Sequence, residues 1–386
     1  MESKRKPVYL DHHATTPVDP RVLEAMLPYF AVRFGNAASL SHAFGWEAQK
    51  AVELARKHVA ELAGAEPREI VFTSGATESN NLAIKGAMEA HRSRGKHLIT
   101  MATEHPSVLD SVRHVERLGY TATVLAPGPD GRLDAEGLRA AIRPETVLVS
   151  VMYANNEIGT VQPVREIGAI CRERGVLFHC DGVQALGKIP VDVERDNIDL
   201  MSASAHKLYG PKGVGALYVR RRAPRVELTA QMDGGGHESG LRSGTLNVPG
   251  IVGFGEACAI CAREMQEEGA RIAALRDRLR ERLKAGIERL HVNGTLAHRL
   301  PGNLHVTLGD VDGDALLASL PEVAVSAASA CSSGRMEASH VLAAIGAPEG
   351  ASLRFGVGRF NTAEEVDYAA ARVIEAVSKL RSLAPV

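Results

Sequence analysis

Between about residues 70 and 220, short apolar runs alternate with stretches whose apolar residues recur at helical spacing. The runs predict strands at Ile70–Phe72, His97–Met101, Thr121–Leu125, Val147–Met152, Val176–Cys180, Leu200–Ser202 and Val214–Val219. The stretches between them predict helices at Asn80–Arg94, Pro106–Leu118, Asp134–Ile142 and Val164–Arg174. Asp134 suits an N-cap, and Gly175 suits the close of the last helix. Such alternation argues for an α/β fold with a mainly parallel sheet covered on both faces. A longer helical pattern from Ile251 to Leu290 carries charges of alternating sign, as a solvated helix face does, and predicts a connector between two lobes. A strand-like run at Asn303–Leu308, an Ala/Ser-rich stretch around Cys331 and a helix at Ala363–Leu383 predict a second, smaller α+β lobe.

The chain has 386 residues, enough for two or three domains. Its 45% hydrophobic and 24% charged content excludes wholesale disorder. The 45 Lys+Arg nearly cancel the 46 Asp+Glu, so the basic excess expected of a nucleic-acid binder is missing. No apolar run reaches the length of a membrane span, and the basic Met1–Lys6 stretch leads into no signal-like apolar region. Five cysteines, an odd number thinly spread, argue against a disulfide framework and for a reducing compartment. A cytoplasmic protein without membrane or direct nucleic-acid partners is expected, with at least one thiol available for chemistry.

In open parallel sheets, ligands bind beyond the carboxyl ends of the strands. Five polar clusters fall there: Thr73–Thr77, Glu104-His105, Asn155-Asn156, Asp181 with Gln184, and Ser204–Lys207. The turn Ser74–Asn80 runs into a helix, whose N-terminus suits a phosphate; an ordinary Ser/Thr cap is the simpler reading of that turn taken alone. Lys207, at a strand end, can serve as a nucleophile or Schiff-base lysine, although most lysines are surface residues. Lys212 is its rival. Asp181 can cap a turn or pair with a protonated pyridinium nitrogen. His105 can stack on an aromatic ring and shuttle protons, or simply begin a helix before Pro106. Cys331 sits among small residues, where exposure is expected. Cys171, Cys180, Cys258 and Cys261 read as packing, and His12-His13 as a structural turn.

These motifs, in their order, resemble the group I (NifS/IscS-type) PLP-dependent cysteine desulfurases over nearly the whole chain. The resemblance rests on Tyr9–Thr16, Gly35-Asn36, Phe72–Asn80, Thr103–His105, Asn155–Gly159, Asp181 with Gln184, His206-Lys207, Gly210–Gly213, Gly234–Glu238, Arg242–Thr245, Ser329–Cys331 and Arg354-Phe355. It implies a PLP-dependent transferase of fold type I, with a mainly parallel seven-stranded sheet in a large domain (16–262) and a smaller α+β domain (1–15 and 263–386). Lys207 would carry pyridoxal 5'-phosphate (PLP) and move the Cα proton, and Asp181 would pair with the ring nitrogen. Gln184 and Asn156 would hydrogen-bond the ring oxygen, and His105 would stack on the ring. Ala76, Thr77, Ser204 and His206 would hold the phosphate, with Thr245 arriving from the second subunit of a homodimer. Arg354, helped by Asn36 and Asn156, would clamp the carboxylate of L-cysteine. Cys331 would attack the substrate sulfur as a thiolate and become a persulfide, leaving L-alanine. The persulfide would pass to an iron–sulfur scaffold or another sulfur acceptor, such as a tRNA thiolation protein. Catalysis would need no metal, and Cys331 would be the ligand for any transient iron–sulfur cluster. Three departures stand out: Ala327-Ala328 where a glycine is expected, Ala338 where proline is common, and an end at Val386 without the longer docking tail of some members.

Overall fold

The computed structural model describes residues 6–327 and 339–383. Cys331, Ala328 and Ala338 therefore lie outside the described residues. After a short strand β1 (Val8–Tyr9), seven strands build one sheet: β2 (Ile70–Thr73), β3 (His97–Met101), β4 (Thr121–Leu125), β5 (Thr146–Ser150), β6 (Leu177–Asp181), β7 (Leu200–Ser204) and β8 (Gly215–Val219). Their spatial order is β2-β8-β7-β6-β5-β3-β4. β4, β3, β5, β6 and β7 run parallel, whereas β8 is antiparallel to both β7 and β2. The sheet is thus mainly parallel, and each expected strand lies in it within two residues at either end.

The reason for the unbroken apolar runs is visible in the packing. Phe72, Ile99, Val149, Phe178 and Met201 enter one hydrophobic cluster. Their neighbours Val71, Leu98, Leu148, Leu177 and Leu200 enter another on the opposite face. A sheet covered on both sides needs apolar side chains at every position, not at alternate ones.

The helix expected at Asn80–Arg94 runs instead from Ala76 to Ala90. Its first turn is polar because it faces a cavity rather than the core, so hydrophobic spacing could not reveal it. A 21-residue helix, Ala43–Ala63, was not expected at all. Its buried stripe is Ala48, Val52, Ala55, Val59 and Leu62, dominated by small residues that bring it close to the long connector helix. At Gly255 of that connector an added Cβ would lie 2.6 Å from the Ala55 Cβ, so the two backbones approach too closely for larger side chains.

The connector, Val248–Gly286, has 39 residues. Ile251, Phe254, Cys258 and Cys261 bury its first half in the larger core. Ile272, Leu275, Leu279 and Leu283 bury its second half in a separate core. That second core is built on β9 (Leu290–Val292), β10 (Asn303–Leu308), β11 (Val323–Ala324) and β12 (Ala351–Gly356), with the helix Ala363–Leu383 against them. β10 pairs antiparallel with β9 and β12, and β1 returns from the start of the chain to pair with β11. Cys171, Cys180, Cys258 and Cys261 are all buried, as their surroundings in the sequence implied. Among the described residues, no helix is long and apolar enough to cross a membrane.

Candidate active site

The carboxyl ends of β2, β3, β5, β6 and β7 converge on a cavity of about 610 Å³, closed on one side by the loop after β1 and by Arg354 on β12. Lys207 enters it from the short turn Ala205–Lys207 directly after β7. Its Nζ donates to the carbonyl oxygens of His13 (2.6 Å) and Ala14 (2.7 Å). Lys212 also lines the cavity, from the turn before β8.

Asp181, 6% exposed at the end of β6, accepts the Val183 N–H at Oδ1 and the Asn80 amide at Oδ2 (2.8 Å). Asn80 also donates to Ser107 Oγ at 2.9 Å, and Ser107 Oγ lies 2.8 Å from His105 Nδ1. The Ser107 backbone N–H points at that same nitrogen, so Nδ1 accepts and a neutral His105 carries its proton on Nε2. The surrounding protein lowers the His105 pKa, opposed by the charge of Asp181, which favours the neutral ring. Glu104 beside it is fully buried and accepts the Met152 N–H. Burial, relieved in part by that bond and reinforced by Asp181, raises its pKa well above the ordinary glutamate value.

At the other end of the cavity, the helix Ala76–Ala90 points its N-terminus inward. The amides of its first turn have no intrahelical acceptor, and the helix dipole adds positive potential there. Gly75 precedes it at φ +152°, a conformation that favours glycine, and an added Cβ would meet only Ser204 Oγ, at 3.9 Å. Ser204 and His206 complete this wall. Burial and the charges of Lys207, Lys212 and Lys188 hold the His206 pKa down to about 4. Thr15 Oγ1 lies 3.1 Å from His206 Nδ1.

Arg354, 5% exposed, donates from Nη2 to Asp11 Oδ1 (2.9 Å) and Ser326 Oγ (3.0 Å), and from Nη1 to the Asn156 carbonyl (3.1 Å). Among the described residues its buried Nε has no partner. Asn156 lines the cavity, whereas Asn155 spends its side chain on the local turn, accepting the Glu157 and Ile158 amides. Two expected residues stand apart. Asn36 is exposed and accepts the Ala38 N–H, and Thr245 is exposed on a segment tied down by the Arg242–Glu78 ion pair. Neither lines the cavity of its own chain.

Residues 8–369 match the aminotransferase class-V family. A cysteine desulfurase IscS from Anaeromyxobacter sp. (strain Fw109-5) is 61% identical over 382 residues, which is 98% of this chain and 94% of that one. Among solved structures, a NifS-like protein superposes with a TM-score of 0.90 at 38% identity, covering 97% of this chain and all of that one. A structure described as SspA in complex with cysteine gives 0.80 at 36% identity, over 92% and 99% of the two chains. The chain belongs to the class-V aminotransferase family, in its IscS/NifS cysteine desulfurase branch.

Enzymes of this branch depend on PLP, and the cavity of this family member fits that cofactor. It offers a primary amine for the aldehyde and, across from it, an anion cradle for the phosphate. A nearly buried carboxylate, already oriented by two N–H donors, matches a protonated ring nitrogen. The arginine nitrogen left without a partner suits the carboxylate of an amino acid.

Asn80, Ser107, Asp11 and His13 belong to this site, yet no role was expected of them. Asn80 alone left a trace in the sequence. It lies one helical turn beyond Ala76, on the same helix face, so any residue there accompanies the phosphate turn into the cavity.

Proposed function

We propose that this chain uses Lys207, Asp181, His105, Arg354 and Cys331 to take sulfur from L-cysteine; the protein is a PLP-dependent cysteine desulfurase. The observation that carries this assignment of roles is the convergence of Lys207, Asp181 and Arg354 on one cavity. When bound, PLP supplies an electron-withdrawing ring, attached through Lys207, that acidifies the substrate Cα–H and makes its sulfur open to attack.

The residues of the chain do the rest. Arg354 holds the substrate carboxylate through its Nε edge, while Asp11 and the Asn156 carbonyl hold the guanidinium still. Asp181, kept in place by Asn80 and Val183, pairs with the ring nitrogen and favours its protonated form. His105, neutral and protonated on Nε2, packs on the ring and presents a donor. The first-turn amides at Ala76 and Thr77, with Ser204 and His206, bind the phosphate. Gln184 and Asn156 address the ring oxygen. Lys207 Nζ takes the Cα proton and returns it. The Cys331 thiolate attacks the substrate sulfur, the carbon–sulfur bond breaks, and a proton replaces sulfur on carbon. L-cysteine and a thiol become L-alanine and a persulfide, so no external oxidant is required.

The protein delivers this sulfur to acceptors. We assign an iron–sulfur scaffold or another sulfur-acceptor protein as the recipient, and the cytoplasm as the compartment. The active form is a homodimer. Leu27, Phe30, Val32, Phe34, Leu40, Phe44 and Trp46 are all exposed within one short stretch, more apolar surface than a solitary chain ordinarily shows, and Thr245 would then serve the neighbouring site. We assign residues 16–262 to a large cofactor-binding domain and residues 1–15 with 263–386 to a small one. Incubation of the PLP-loaded protein with L-cysteine should give equal amounts of alanine and enzyme-bound or released sulfane sulfur. Pyruvate and ammonia in their place would refute the assignment.

A further inference from the structure

Lys188 stands four residues beyond Gln184, in the run of turns that follows β6, just outside the cofactor cavity. Its Nζ donates to Gln184 Oε1 at 2.6 Å. The same oxygen accepts from His13 Nδ1 at 3.1 Å, and Gln184 Nε2 donates to the His13 carbonyl at 3.0 Å. Lys207 Nζ converges on that carbonyl too. Gln184 itself lines the cavity.

An amide side chain can be turned by 180° with little change in shape, so something must decide which end faces where. The His13 carbonyl, which accepts from Nε2, opposes the turn from one end, but the His13 ring does not oppose it from the other. That ring can donate from Nδ1 in one tautomer and accept there in the other, so it tolerates either end of the amide. A lysine ammonium has three donors and no acceptor. If the amide turned, the Gln184 NH₂ would face that ammonium, donor against donor. We propose that Lys188 is a positioning residue for the cofactor cavity: its hydrogen bond locks Gln184 with Oε1 outward and Nε2 inward, so that the second Nε2 hydrogen is offered to an acceptor of bound PLP.

The lock also sets the His13 tautomer. With Oε1 able only to accept, Nδ1 must carry the ring proton, and burial keeps this histidine neutral. The lock needs a charged amine. Burial, reinforced by Lys207 and Arg354 and opposed by Cys261, brings the Lys188 pKa down to about 7, so the measurement belongs at a mildly acidic pH.

The inference rests on Gln184 contacting the cofactor, and the experiment separates the two. PLP is titrated into the full-length apoprotein and its apparent Kd and absorption maximum are recorded for four single variants and one double. Lys188→Met should weaken PLP binding by roughly tenfold, the scale of one well-placed hydrogen bond, and move the absorption maximum. Gln184→Ala should do the same, and the double variant should show no further loss, because the two act through one contact. Lys188→Arg, still a pure donor, should restore wild-type affinity. Lys188→Gln, which can accept, should not, and this pair carries the test if the methionine variant fails to fold. A silent Lys188→Met protein, or losses that add in the double variant, would overturn the proposal while leaving Gln184 as a cofactor contact. A silent Gln184→Ala protein would overturn both.

Discussion

Ser326 and Arg354 exchange both backbone hydrogen bonds, Arg354 N–H to Ser326 O at 2.7 Å and Ser326 N–H to Arg354 O at 3.4 Å, and the Arg354 guanidinium adds a third to the Ser326 hydroxyl at 3.0 Å. The arginine proposed to clamp the substrate carboxylate is therefore bonded to a residue five positions before Cys331. At the far side of that stretch, Ser339 Oγ donates to Glu157 Oε2 at 2.5 Å, and His340 Nε2 lies 3.0 Å from the Glu104 carbonyl oxygen. One flank of the Cys331 stretch is thus fixed to Arg354 on the cavity wall, and the other to residues adjoining His105 and Asn156 on it.

Replacing Arg354 by Lys keeps the charge but loses the planar fork. Steady-state kinetics should show kcat/KM for L-cysteine falling by roughly 10–100-fold, the range of a lost charged hydrogen bond, with KM carrying most of the change. Ser326→Ala leaves the Asp11 pair in place and should cost several-fold less.

Asn80→Ala removes a donor from the buried Asp181 carboxylate and from Ser107 together. The variant should lose PLP faster on dialysis than the wild type, followed by absorbance, and its apparent PLP affinity should fall roughly tenfold. Retention equal to wild type would show that Asp181 does not depend on this amide.

Cys331→Ala should retain the absorbance of bound PLP and bind L-cysteine, yet form no alanine beyond background. Alanine formation at the wild-type rate would remove Cys331 from the mechanism.

The protein should lose stability in acid. His179 is buried between Ser150 and Ser202, and burial, opposed by Asp181, lowers its pKa to about 4. His12 behaves alike, at about 4, and His305 at about 3. In the unfolded chain these rings take up protons near pH 6.5, which the native state refuses until the lower value is reached. Their contribution is complete above about pH 6.5 and lost as pH falls towards 4, by about 1.4 kcal/mol per unit for each ring. Thermal melts across this window should show Tm dropping with pH, and His179→Gln should flatten the drop.

Sedimentation should report a dimer, and Phe30→Asp with Phe34→Asp should shift it towards monomer. Activity should fall with dissociation, since Thr245 does not reach the cavity of its own chain.

The central strands other than the part-exposed edge strand β4 were legible because a two-sided sheet buries every position and favours largely apolar runs. The position of the site followed from the same alternation, since polar residues at the ends of parallel strands must gather on one edge. Asp181, His105 and Lys207 could be located this way. The helix Ala43–Ala63 could not, because five of its eight buried residues are alanine or glycine, which carry little hydrophobic contrast with an exposed face. Asp11 and His13 gave no local signal. His13 reaches the cavity, and Asp11 the Arg354 on its wall, because β1 pairs with β11, more than 300 residues away in the chain.

The order of residues by itself determined the α/β class, the strand-end clusters and the motifs that mark the family, because each is written in local spacing. Only the tertiary structure decided which nitrogen of His105 holds its proton, which nitrogens of Arg354 are tied to Asp11, Ser326 and Asn156, and which way the Gln184 amide faces. Those are properties of hydrogen-bond partners contributed by separate elements, and no spacing along one element can specify a donor that arrives from another.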